Sequence, residues 1–324
     1  RQILILIITK DQLNLGPVDF KTLHCPMTEH QKDIYEIIAW QIAQEGNEEK
    51  YAAYADFEQI ITYWIMASTD PALFFENNQY SDELIDLNNV ELEEKIRRYG
   101  EGELSGKLSA LQQLLPNFIN RQEKIIIWCN FRGTLVKVQQ MIEHDFGVEV
   151  RKIDGSIDKD DSVNPLVNKE KNLREFRTCN DVNVLIANPA SLAESVSLHE
   201  VCHRAIYVDR TYVATNWIQS KERIHRVNMP EPSDEWDGIT RYTILTSKYP
   251  VRDPPDNRRT VDDLIDDSLE EKEQAMNTFL NDPGINAREM ELNYDRINDP
   301  NDVEVDYRRV IEFLRERFSN GQNN

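Results

Sequence analysis

Apolar positions recur with two different periods along this chain. Short apolar runs with polar borders occur at Lys124 to Cys129, Val182 to Ala187, Ala205 to Val208 and Tyr242 to Leu245, and the more polar Val148 to Ile153 reads as a further strand. Runs of this length, rich in β-branched residues, are expected of strands buried on both faces. Between them lie stretches with apolar residues three and four apart: Leu104 to Leu115, Thr134 to His144, a charged stretch leading to Phe176, and Trp217 to Arg226. Strands alternating with helices of this size predict parallel βαβ units, and so an α/β sheet of about five strands with helices on both faces, a three-layer arrangement.

The flanks read differently. Residues 1 to 25 look extended, with the apolar run Ile3 to Ile8 and a Gly16-Pro17 turn before Val18, Phe20 and Leu23. Thr28 is placed to cap a helix containing Gln31, Ile34, Tyr35, Ile37 and Ile38, and a second helix runs through Phe57, Ile60, Ile61 and Trp64. Residues 76 to 102 show no core-sized face after Leu92 and predict a connector or an exposed helix. Beyond the proline-rich stretch Arg252 to Asp256, a helix through Val261, Leu264, Ile265 and Leu269 and a last one over Tyr307 to Phe318 read as surface braces. The chain thus divides into a helical segment (1–102), an α/β lobe (103–247) and a bracing, acidic tail (248–324).

Composition narrows the classes. With 58 acidic and 37 basic residues among 324, the formal charge is −21, and 40% of residues are hydrophobic. That is a core-forming chain, not a disordered one. No apolar run reaches the roughly 18 residues that a membrane-spanning helix needs. Four cysteines without a CxxC pair (Cys25, Cys129, Cys179, Cys202) predict a reducing, cytoplasmic setting with neither disulfides nor a structural zinc. The acidity excludes binding nucleic acid with the whole surface but leaves room for a local basic patch, since about half of the acidic excess lies beyond Glu231. The chain opens on Arg1 without a methionine, so it is expected to be part of a longer protein.

Most candidate chemistry fails. Ser105-Gly106-Lys107 looks like the end of a phosphate loop, but GxxxxGK[ST] would need glycine at 101 and a hydroxyl at 108, where Glu101 and Leu108 stand. No metal site is expected among the histidines, and GxSxG is absent. One cluster survives. On a continuous helix, Gln219, Arg223 and Arg226 at i, i+4 and i+7 would share one face, just after a buried strand ending in Asp209. Open α/β sheets collect ligands at the carboxyl ends of their strands, and arginine forks grip phosphate oxygens bidentately. The same spacing also suits a solvated amphipathic helix with Glu222 paired locally.

Gln219 to Arg226 resembles the QAEDRAHR signature that closes the second motor lobe of SNF2-family ATPases, a branch of superfamily 2 helicases. The likeness continues in order. Leu23 to Thr28 with Gln31, Ile34 and Tyr35 resembles the segment between the two lobes, and Asp70 to Leu73 resembles the HPxL region with Asp in place of His. Ser105 to Leu108 resembles the SGKL helix start, Ile125 to Phe131 motif IV, and Ile153 to Ser156 the LDGS turn. Val184 to Leu198 resembles motif V, Asp209 to Gln219 the DxxWNPxxDxQ stretch, and Thr260 to Lys272 the TIDExI…K brace helix. There are departures. Ser195 and Ser197 replace Gly and Asn in motif V. Tyr212, Val213, Ala214 and Trp217 replace Trp, Asn, Pro and Asp, and Val227-Asn228-Met229 replaces IGQ. They resemble a divergent prokaryotic branch, which implies restriction or phage-defence partners.

The resemblance implies a RecA-like C-terminal lobe of an ATP-dependent SNF2-type DNA translocase or helicase. ATP and Mg2+ would be bound mainly by a first lobe, whose phosphate loop and DEAH-like box this sequence lacks, so the chain alone is expected to be inactive. Arg223 and Arg226, with Gln219 positioning them, would be the catalytic arginine fingers. Asn130, Phe131, Arg132, Gly155, Ser156, Asn188 and Ser191 would touch the backbone of DNA, most naturally double-stranded. The alternative is a catalytically incomplete RecA-like lobe serving as a protein-interaction or nucleic-acid-binding module.

Overall fold

The computed structural model describes residues 15–45, 54–76, 90–100, 102–154, 169–192, 196–234, 236–280 and 300–320. Ile3 to Ile8, Gly155, Ser156 and Ser195 lie outside them.

Six strands form one parallel sheet: β1 (Val18–Pro26), β2 (Ile125–Trp128), β3 (Val150–Ile153), β4 (Val184–Ala187), β5 (Arg204–Tyr207) and β6 (Thr240–Lys248), in the order β1-β6-β5-β2-β4-β3. The short apolar runs behave as expected of central strands, because every residue of β2 and β4 is buried. Strand alternation sends Ile125 and Ile127 to one face and Ile126 and Trp128 to the other. One face packs on α5 (Gly106–Leu114) and α7 (Arg132–Phe146) through Leu108, Leu111, Leu135, Val138 and Ile142. The opposite face packs on α8 (Lys169–Thr178) through Leu173 and Phe176. Gly147 stops α7 in a left-handed conformation (φ 63°), which glycine adopts without a side-chain clash.

The sheet has one strand more than the five expected. The addition is β1, which lies in the stretch expected to be extended but not counted in the sheet, and which pairs with β6 from Val18↔Thr240 to Pro26↔Lys248. Its irregular apolar spacing hid its place there: most of β1 is exposed, so burial imposes no alternation.

A third apolar cluster is helical. It joins α1 (Glu29–Glu45), α2 (Tyr54–Thr69) and α4 (Val90–Gly100) to α10 (Val261–Leu280) and α11 (Pro300–Asn320). Thr28 caps α1, its hydroxyl accepting from the Gln31 amide at 3.0 Å. Two expectations are corrected here. Residues 90–100 do carry a core face, since Leu92, Ile96 and Tyr99 are buried at i, i+4 and i+7 amid charged neighbours. The C-terminal helices are more than surface braces: Val261, Ile265, Leu269, Val310 and Leu314 are as buried as Ile34 and Trp64, with which they share this core.

Candidate functional site

The carboxyl ends of β2, β4 and β5 are tied together around Asp209, whose side chain is 1% exposed. The Asn130 backbone amide donates to one carboxylate oxygen, and the Thr134 hydroxyl donates to the other at 2.9 Å. The Asn130 side-chain amide donates to the Asp209 carbonyl at 2.8 Å, and the Asn188 amide to the Asn130 carbonyl at 2.6 Å. Burial pushes the Asp209 carboxyl above the usual range, against the pull of these donors. Asn188 Oδ1 accepts from the amides of Ala190 (2.9 Å) and Ser191 (3.3 Å), which starts the short 3-10 turn Ala190–Leu192.

This network decides where the candidate DNA contacts stand. Asn130 and Asn188 have their side-chain amides committed within the fold, and Phe131 is half-buried against the helical core. Ser191 is half-buried, its carbonyl accepting from Lys169 Nζ at 2.6 Å. Arg132 is exposed at the first position of α7, beside the strand ends.

The basic cluster is rearranged relative to the expected single helix face. Helix α9 (Ala214–Lys221) carries the half-buried Gln219 and ends with Glu222 as its C-cap. Arg223 and Arg226 lie in the turn beyond it. The helix stops because the chain tightens there, Arg223 N bonding to the Ser220 carbonyl (3.3 Å) and Ile224 N to that of Lys221 (3.4 Å), while Ile224 is drawn fully into the core. The Arg223 carbonyl accepts from the Leu198 amide at 2.8 Å, which joins this turn to the segment after β4.

Arg223 is 8% exposed, and its guanidinium donates to the Val196 carbonyl at 3.3 Å. Its affinity for the proton is lowered by burial first, then by the charge of Arg226, with Glu222 opposing. Arg226 is exposed. The turn therefore holds two like charges within electrostatic reach, one desolvated and one facing solvent, an arrangement that a bound anion would stabilise.

The sequence reading missed the residues that brace this region. Arg210 pairs with Asp266 and Lys221 with Glu273, both on α10, and the two cations flank the Trp217 ring at 5.5 and 4.7 Å from its centre. Trp217 Nε1 donates to Glu273 at 3.1 Å. Asp266 and Glu273, seven apart on one helix, were the available signal. These residues line an open groove of about 790 Å³ together with Tyr242 and Phe20, whose rings stack at 4.6 Å.

Among the described residues, no group of three or more His, Cys, Asp or Glu is arranged to hold a metal, and no helix is long and apolar enough to cross a membrane.

Comparison with known proteins places these features. Residues 106–228, from the start of α5 to just past the arginine turn, match the family model of the helicase conserved C-terminal domain. Mouse (Mus musculus) DNA excision repair protein ERCC-6-like 2 is 28% identical over 124 residues, which are 38% of this chain and 7% of that protein's length. The fold resembles the C-terminal part of the Fun30 ATPase domain (TM-score 0.51, 17% identity, 81% of this chain and 99% of that one). It also resembles the Sulfolobus solfataricus SWI2/SNF2 ATPase core domain (TM-score 0.51, 16% identity, 81% of this chain and 45% of that one). The matched residues lie within a six-stranded parallel sheet whose fold is RecA-like.

Proposed function

We propose that this chain acts as the second lobe of a SNF2-type, DNA-dependent ATPase, in which the turn bearing Arg223 and Arg226 completes a nucleotide site held by a first lobe. The observation that carries this reading is the desolvated Arg223 beside the exposed Arg226, two charges whose mutual repulsion favours an incoming phosphate. Transfer of a γ-phosphoryl group spreads negative charge over its equatorial oxygens, and guanidinium groups fixed nearby stabilise that charge. ATP with Mg2+ would sit mainly on the first lobe, the ion neutralising the β- and γ-phosphates. What this chain supplies is a pair of permanently charged forks on a turn anchored by Ile224, with Gln219 one helical turn before Arg223. Retention of all three residues speaks for a motor and against a lobe reduced to a binding module.

DNA contact falls to the strand-end surface. There the Asn130, Asn188 and Asp209 network shapes the turns, and Arg132 presents its charge to the phosphate backbone. Backbone contacts of this kind are sequence-independent and salt-sensitive, as translocation along DNA requires.

The test is ATP turnover by this lobe joined to a first lobe carrying a phosphate loop, with and without duplex DNA. Arg226→Ala and Arg223→Ala should each lower kcat by on the order of 10³ or more, with ATP affinity little changed, and the chain alone should show no turnover. Turnover preserved in Arg226→Ala, or DNA-stimulated turnover by the chain alone, overturns the reading.

A further inference from the structure

The two arginines need more than a loop to hold them, and one of the two residues between them makes a bond unrelated to the network at the strand ends. His225 Nε2 lies 2.8 Å from the backbone carbonyl of Gly16, 209 residues earlier in the chain. Gly16 stands at the entry to the sheet. The next carbonyl, that of Pro17, accepts from the Thr240 amide at 3.0 Å, and from Val18 onward the chain is paired with β6. The His225 ring therefore ties the arginine turn to the point where the chain enters the edge of the sheet.

We propose that His225 is a positioning residue, fixing the orientation of Arg223 and Arg226 by donating from Nε2 to the Gly16 carbonyl; the proposal rests on the motor reading of those arginines. Other anchors of the turn include Ile224 in the core, the Arg223 carbonyl on the Leu198 amide and the Arg223 guanidinium on the Val196 carbonyl. These constrain the turn on the Arg223 side. The Gly16 bond is the restraint closest in sequence to Arg226, whose side chain stands in solvent. An imidazole donates from Nε2 to a carbonyl whether neutral, in the matching tautomer, or protonated, so the restraint holds across physiological pH. It also makes the arginine turn sensitive to the path of the chain before β1.

Two variants separate positioning from bulk. His225→Gln keeps an N–H donor at a similar reach, whereas His225→Leu fills comparable space without one. Amide hydrogen exchange of the 324-residue chain reads the restraint directly. Exchange at residues 223–228 should quicken in His225→Leu, stay near wild type in His225→Gln, and leave β2 and β4 protected in both. Unchanged exchange in His225→Leu overturns the proposal whatever the activity. In the lobe joined to a first lobe, His225→Leu should lower kcat roughly tenfold through misplaced arginines and leave the KM for ATP within about twofold, with His225→Gln restoring most of kcat. A kcat in His225→Leu equal to wild type overturns it, provided Arg226→Ala abolishes turnover. If Arg226→Ala itself has no effect, the motor reading has failed, and the exchange result alone decides whether His225 positions the turn.

Discussion

Lys107 Nζ lies 2.9 Å from Asp262 Oδ1 with both side chains closed off from solvent, joining the first turn of α5 to the first turn of α10. The other carboxylate oxygen accepts from the Ser247 amide at 2.7 Å, so the pair also grips the end of β6. Two charges removed from water are stable there only because each satisfies the other, and removing one leaves the second uncompensated. Lys107→Met should therefore cost about 3–5 kcal/mol, measured as a lower urea midpoint with an unchanged slope. The double variant Lys107→Met, Asp262→Leu should recover part of that loss, limited by the Ser247 amide left without its acceptor. A double variant no more stable than the single one would show that the carboxylate is not the source of the cost.

Gly106 sits one residue before Lys107 for a steric reason. A Cβ added there would stand 2.2 Å from the Pro26 carbonyl oxygen, a backbone atom at the end of β1. The Gly106 amide also donates to Gln31 Oε1 at 3.1 Å, and Gln31 Nε2 donates to the carbonyls of Ala67 and Ser68. Gly106→Ala must separate α5 from β1 and strain this junction of three helices. It should destabilise the chain by about 2–4 kcal/mol, visible as a drop in thermal midpoint, whereas Ser109→Ala, three residues further along α5, should be near neutral. Equal midpoints for Gly106→Ala and wild type would refute the close approach.

How much of this could be read from sequence depends on what burial does to the pattern. The central strands β2 and β4 were legible because both of their faces are buried, which leaves Ile125 to Trp128 and Val184 to Ala187 as unbroken apolar runs. Edge strand β1 was legible only as an extended stretch, not as a member of the sheet, since Val18, Phe20 and Lys21 are all exposed and nothing in their order marks a pleat. The three core residues of α4 were diluted among glutamates and arginines. At the site, Gln219, Arg223 and Arg226 were legible as residue types. The break in the helix between them was not, because it is set by tertiary anchors: Ile224 in the core, Leu198 on the Arg223 carbonyl and Gly16 on His225. Contacts between residues 209 apart leave no local trace.

His203 gives the fold a pH dependence. Its ring stacks on Trp236 at 3.8 Å, with Nδ1 buried and without a hydrogen-bond partner among the described residues. Desolvation, and then the nearby charges of His199 and Arg204, lower its pKa from 6.5 to about 4. The folded state thus binds fewer protons than the unfolded state between those values. Its contribution to stability is complete above pH 6.5, falls as the pH drops, and is lost below about 4. Discounted for partial solvent access, the loss should be about 2 kcal/mol or less. His203→Gln should flatten the unfolding free energy over this range relative to wild type. Parallel curves for the two proteins would assign the acid sensitivity elsewhere.

Arg132 and Asn188 should separate binding from folding. Arg132 is exposed at the start of α7, so its guanidinium is free to meet a phosphate without disturbing the interior. Arg132→Ala should weaken duplex binding to a similar degree for every sequence and reduce the slope of log affinity against log salt by about one, with thermal stability unchanged. Asn188 instead donates to the Asn130 carbonyl and accepts from the Ala190 amide. Asn188→Ala leaves both backbone groups without this partner and should cost about 1–3 kcal/mol of stability. Its effect on DNA affinity should follow the fraction folded, leaving the salt slope as in wild type. Titration by fluorescence anisotropy at three or more salt concentrations, beside a melting curve for each variant, distinguishes the two. A salt slope unaltered by Arg132→Ala would remove this surface from the path of the DNA.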